Sequence, residues 1–212
     1  MGTASVATLI GSVRGTLIDA SAVTFSDAVL TQYLNEGIAA TCFVKPEAFP
    51  VEASLTLTPG IRQTLPDGST GLLDIVSTGA GTMVTQVDKA LLEAADPNWP
   101  SANAVAAIDH YTYDPRLPLQ WLCYPPAAVG ATAVVRYGAV PDDVAITDSL
   151  PLPDSYEACL IDYVLSRAYS MNSKKQDTTK EAYHKQQWGA ALGLKTQSQV
   201  SNSPRIAAGT AT

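Results

Sequence analysis

Acid–base or metal chemistry in this chain has to pass through His110, His184 or carboxylates alone, because the sequence has only 2 histidines. His110 falls in a predicted strand between Asp109 and Tyr111, with Asp114 four residues on. Strand alternation sends Asp109 and His110 to opposite faces, so they form no couple, and a strand histidine with a hydrogen-bonded imidazole is expected. A hydrolase working through Asp109, His110 or Asp114 is the weakest reading of these residues. His184 follows Tyr183 on a predicted helix, three residues after Glu181, and reads as part of a solvated helical face. Asp142, Asp143 and Asp148 cluster in a loop but lack the ligand spacing and central glycine of a calcium loop.

The three cysteines, Cys42, Cys123 and Cys159, lie far apart in apolar stretches and form no C-x-x-C pair. Buried thiols are expected; a disulfide plus one spare thiol would need an oxidising compartment. There is no G-x-S-x-G, no P-loop and no G-x-G-x-x-G. No catalytic, cofactor-binding or metal residue is therefore nominated, and neither an enzymatic activity nor a cofactor is expected. Tyr111, Tyr113, Trp121 and Tyr124 are the remaining chemical feature. They could stack on sugars, but only Arg116 and Arg136 stand near them as cations, so packing in a core or interface is the stronger reading.

The elements that would position these residues follow from proline. Thirteen of the 14 prolines lie between Pro46 and Pro153, leaving helix-compatible flanks around a helix-hostile middle. In the first flank Val6, Ile10, Val13 and Leu17 recur at helical spacing after Thr3 or Ser5 as caps. Ser26 caps a second predicted helix, with Phe25 and Leu30 placed as a hydrophobic staple and Asp27 at the positive end of the dipole. Its stripe runs through Leu34, Ile38 and Cys42 or Thr41.

The middle reads as strands and turns. Val51 to Thr58 alternates, Pro66-Asp67-Gly68 turns, Leu72 to Val76 follows, and Asp88 to Ala95 is a brief helix. Ala107 to Tyr113, Leu119 to Tyr124 and Thr132 to Tyr137 suggest a meander, with Leu119, Trp121, Cys123, Ala133, Val135 and Tyr137 on its buried face. The last flank returns to helical spacing through Tyr156, Cys159 or Leu160, and Tyr163 or Val164, with Asp154 as cap. A final helix is expected from Ser173, whose spacing to Gln176 suits a capping box. From Thr196 to Thr212 apolar residues are too sparse to order alone.

The reading is an α+β fold: a helical bundle from residues 1–45 and 154–195, an inserted antiparallel β subdomain at 46–153, and an extended C-terminal arm at 196–212. The insertion carries four basic and twelve acidic residues, a net −8 that exceeds the chain's own net charge of −7. Such a surface repels nucleic acid. No run reaches the roughly 20 apolar residues of a membrane span, and Met1 to Gly15 is too polar for a signal peptide, so a soluble chain that stays in the cell making it is expected.

Five stretches carry a resemblance: TFSDAVLTQYLNEGI, PGIRQTLPDG, VDKALLEAADPNWP, HYTYDPRLPLQWLCYPP and YEACLIDYVLSRAYS. In this order and spacing the chain resembles the head-to-tail adaptor proteins of tailed phages, over residues 4 to 195. The resemblance implies a virion structural protein at the head–tail junction, assembled in the host bacterial cytoplasm. It implies a ring of roughly twelve copies, closed by head-to-tail contacts between identical subunits. The implied partners are the portal protein, tail or nozzle proteins and further copies of itself, with DNA passing through without specific binding and no membrane. The arm would dock on the portal, with Val200, Arg205 and Ile206 as its anchors. The competing reading is a tail or baseplate module holding host glycans on Tyr111, Tyr113, Trp121 and Tyr124.

Overall fold

The computed structural model describes residues 2–171 and 173–194. Two compact units emerge. One comprises residues up to Thr3, Asn35–Val144 and Ser149–Asp154; the other comprises Ala4–Leu34, Ala145–Asp148 and residues from Ser155 onward.

The second unit is helical. Ser5 caps α1 (Val6–Leu17), its hydroxyl accepting the Thr8 N–H, and Val6, Leu9, Ile10, Val13 and Leu17 are buried along one stripe. Helix α2 (Asp27–Val44), which belongs to this unit as far as Leu34 and to the other from Asn35 on, starts where the Ser26 hydroxyl accepts the Val29 N–H at 3.3 Å. Phe25 and Leu30, the expected staple, are both buried, as are Leu34, Ile38 and Cys42 along the rest of the stripe. After the middle of the chain come α4 (Glu157–Ser170) and α5 (Thr178–Ala191); α1 packs on α4 and α4 on α5.

Two helix starts differ from expectation. Asp154 sits in a 3₁₀ turn (Asp154–Tyr156) before α4, its carboxylate accepting the Thr3 N–H at 2.7 Å and hydroxyl at 2.8 Å. Ser173 makes a turn, its hydroxyl accepting the Lys175 N–H, and α5 begins later. There the Asp177 carboxylate accepts the N–H groups of Thr179 and Lys180, both at 3.0 Å. A full negative charge at the positive end of the dipole outcompetes a neutral hydroxyl five residues short of it.

The first unit holds two sheets. One has the order β1-β7-β3, from β1 (Pro50–Thr56), β3 (Ser69–Thr78) and β7 (Thr132–Ala139); the other has the order β2-β6-β5-β4, from β2 (Gly60–Thr64), β4 (Thr85–Gln86), β5 (His110–Tyr113) and β6 (Gln120–Ala127). Both contribute to one core, with Ile75, Ala133 and Val135 from the first sheet and Tyr111, Trp121 and Cys123 from the second. Between β4 and β5 lies α3 (Lys89–Ala95), capped by Asp88 through the Ala90 N–H.

The expected three-strand meander is thus split. Strands β5 and β6 form an antiparallel pair, but β7 leaves for the centre of the other sheet, between β1 and β3. Alternation fixes which face of a strand is buried and leaves open which sheet receives it. Trp121, Cys123, Ala133 and Val135 are buried as expected, whereas Leu119 precedes the strand and is 42% exposed. One pairing, β4 with β5, is parallel, which makes the second sheet mixed.

Candidate interaction site

In the helical unit the corner between α1 and α2 is held by a buried carboxylate and two cations. The chain leaves α1 at Ile18 with φ 53° and ψ 47°, and Ala22 also has φ 53°. The left-handed region disfavours both residue types, and a β-branched one most. Asp19 holds this backbone in place. Its buried carboxylate accepts the N–H groups of Val23, Thr24 and Phe25 between 2.9 and 3.2 Å. These bonds, the one from Phe25 foremost, keep the carboxyl below the usual carboxylate range against the opposing effect of burial, and the Arg14 charge adds to them.

Cations complete the corner. Arg14 donates from Nε and Nη2 to Asp27 Oδ1, at 3.1 and 2.5 Å, and from Nη1 to the Asp19 carbonyl at 3.2 Å. Lys175 Nζ donates to the Leu17 carbonyl at 2.7 Å and the Ile18 carbonyl at 3.2 Å, where a positive charge complements the C-terminal end of α1. This framework presents Ile18 and Val23, each 85% exposed, on a fixed backbone. Loop order with outward apolar side chains is what an interface anchor requires, since little entropy remains to be lost on docking. The primary sequence signals for the corner are weak: Asp19 looks like any loop aspartate until its three N–H donors are seen.

In the β unit a cleft of about 710 Å³ is lined by Arg62, Asp88, Lys89, Asp114, Arg116 and Gln120 among others. Its charges are mostly matched: Arg116 forks onto Asp114 at 2.9 to 3.2 Å, which holds that carboxyl below its usual range, and Lys89 meets Glu93 at 3.3 Å. Elsewhere in the unit Arg136 is paired with Glu52 at 2.7 Å.

The aromatic residues do not share a face. Tyr111 and Trp121 lie in the core, 4% and 2% exposed, edge to face at 6.3 Å, and the Tyr111 hydroxyl donates to Asp74 at 3.1 Å. Burial and the Asp74 charge push that phenol up to about 12. Tyr113 packs partly against the same core, with its hydroxyl on the Pro118 carbonyl at 3.3 Å. Tyr124 alternates to the opposite side of β6, stacked on His110 and edge-on to Trp99, each at 6.3 Å. No four-ring platform for sugars is assembled.

His110 Nδ1 is buried and has no hydrogen-bond partner among the described residues. His184 is not on the solvated helical face expected of it. Its side chain is 14% exposed, Nδ1 lies 2.8 Å from Asp162 Oδ1, and its ring stacks on Tyr169 at 5.8 Å. It joins α4 to α5. Asp148 Oδ2 accepts the Ala145 N–H at 2.7 Å, and Asp142 and Asp143 are exposed. Among the described residues no three His, Cys, Asp or Glu side chains group as metal ligands, and Cys42, Cys123 and Cys159 are free and buried. Val200, Arg205 and Ile206 lie outside the described residues.

These features define a class: an α+β protein with a helical unit and a sheet-bearing unit. A family model described as SU10 adaptor protein matches residues 4–208. The chain belongs to this family of phage adaptors, as the five sequence stretches implied, and is a structural component of the virion. No curated protein matches it significantly.

Proposed function

We propose that this adaptor forms a ring between the phage portal and the tail, leaving a channel for DNA. The family match over residues 4–208 carries the reading. In it, the helical flanks, 1–45 and 154–195, face the portal, and the β insertion, 46–153, faces tail or nozzle proteins. The arm, 196–212, anchors to the portal through Val200, Arg205 and Ile206.

Two observations support this division. The α1–α2 corner offers Ile18 and Val23 as preorganised apolar contacts on the helical unit. In the insertion, three of the four basic residues, Lys89, Arg116 and Arg136, are bound to carboxylates, so the acidic excess is left to the surface. A conduit lined by such a surface does not hold phosphate.

Portal rings mixed with purified adaptor test the reading by electron microscopy. An additional ring of density on the portal is expected with the full chain, and its absence would overturn the proposal. Deleting residues 196–212 is expected to leave the circular-dichroism spectrum unchanged and to abolish attachment; full attachment would remove the arm from the reading.

A further inference from the structure

The β unit has one long strand edge that nothing occupies among the described residues. Edges β2 and β4 are only 5 and 2 residues long, and β3 is largely buried and bulged in three places against β7. Strand β1 differs. Its inward bonds fall on odd-numbered residues: Ala139 N–H donates to the Phe49 carbonyl at 3.0 Å, and Leu57 N–H to the Ala131 carbonyl at 2.8 Å. Between them Val51, Ala53 and Leu55 face Tyr137, Val135 and Ala133 in unbroken register.

Antiparallel alternation then turns the backbone N–H and C=O groups of Glu52, Ser54 and Thr56 away from β7. All three residues are exposed, and among the described residues these groups have no partner. An edge of this kind is a template for another strand. Both of its ends are closed. Pro50 has no N–H to offer, and at Thr58 the side-chain amide of Gln63, itself 2% exposed, already takes the N–H at 2.8 Å and the carbonyl at 2.7 Å. The open window is Glu52, Ser54 and Thr56.

We propose that a second copy of this chain fills that window, β1 pairing antiparallel with β1 about Ser54 to give a two-fold dimer. The window is complementary to itself. Centred on Ser54, the pairing sets Glu52 against Thr56 of the second copy, so the two carboxylates do not oppose each other. Pro50 falls against Thr58, so the residue without a donor meets the one already satisfied. On the inner face half-buried Leu55 comes opposite Ala53, and Val51 opposite Leu57, matching apolar to apolar. Each outward pair exchanges two backbone bonds, about six in all. A two-fold contact uses one patch on both partners and closes on itself, so it belongs to free chains and is independent of the proposed ring.

Sedimentation velocity of the full chain over a concentration series tests this. A reversible monomer–dimer shift is expected for the natural sequence. Ser54→Pro is expected to stay monomeric with an unchanged circular-dichroism spectrum, because the Ser54 N–H takes no part in the ladder with β7. Paired residues of this type lie about 5.5 Å apart at Cα, within disulfide reach. Mixed Glu52→Cys and Thr56→Cys chains should therefore cross-link on oxidation, while neither does so alone. A chain that remains monomeric at its highest attainable concentration, a dimer that survives Ser54→Pro, or Glu52→Cys cross-linking to itself would each overturn the proposal.

Discussion

The Phe25 N–H donates to Asp19 Oδ2 at 2.9 Å across six residues of chain, and this bond anchors a corner that holds Ile18 and Ala22 in the left-handed region. The same bond lowers the Asp19 pKa, so the folded value lies below the unfolded one. The sign follows: the stabilisation is complete above the unfolded value, about 4, and is lost as pH falls through the lower folded value. Thermal melts of the natural chain should drop below pH ~4 more steeply than those of Asp19→Asn. Parallel curves would show that the carboxylate contributes nothing specific.

Ile18 gives the corner a second test. It is 85% exposed, so glycine would remove almost no packing. Relief of left-handed strain in a β-branched residue, about 1–2 kcal/mol, exceeds glycine's extra unfolded-state entropy, about 0.5–1 kcal/mol. Ile18→Gly should thus stabilise the fold by roughly 0.5–1 kcal/mol in denaturant melts. If the same variant weakens portal attachment, Ile18 serves a contact outside its own chain.

Trp121 separates a core role from a surface one. At 2% exposure against Tyr111 it belongs to the interior, and Trp121→Ala should cost about 3–5 kcal/mol in stability. A variant that melted like the natural chain would place the ring at a surface after all.

What the sequence reveals here is local. Ser26 is legible as a cap, and Ser5 as one of two candidates with Thr3, because capping is settled within three residues, and the stripe Leu30, Leu34, Ile38 and Cys42 because helical period is a property of one segment. The destination of β7 is not local: Ala133 and Val135 show the same alternation whether their strand pairs with β6 or with β1 and β3. Strand β2 was too short to see beside the Pro59-Gly60 turn. The candidate contacts were hidden for the same reason. Asp19 needs the fold of the corner to meet its donors, and the free edge of β1 appears only once β7 is known to occupy the other side.

His184 and Asp162 fasten α4 to α5 through a 2.8 Å contact, largely shielded from solvent at 14% and 26% exposure. The ring also stacks on Tyr169. His184→Ala should destabilise the helical unit by about 2 kcal/mol, the loss of a bond to a charged acceptor together with a ring contact. A double-mutant cycle with Asp162→Ala should return a coupling of about 1 kcal/mol or more. Additive effects would mean that the two side chains merely lie close.

The cysteines make the two units separately observable. Cys42 and Cys123 belong to the sheet-bearing unit and Cys159 to the helical one, and all three thiols are free and buried. Burial pushes Cys42 up to about 11; burial, with the Asp162 charge added, pushes Cys159 to about 11 as well. The thiolate is the reactive form, so native chains at neutral pH should resist a thiol reagent that labels all three once denaturant is added. Under intermediate denaturant the labelling order reports which unit opens first. Mass spectrometry of the labelled peptides should find Cys42 and Cys123 modified together, with Cys159 following its own rate. Rapid labelling of any one of them in the native chain would mean that its burial is transient.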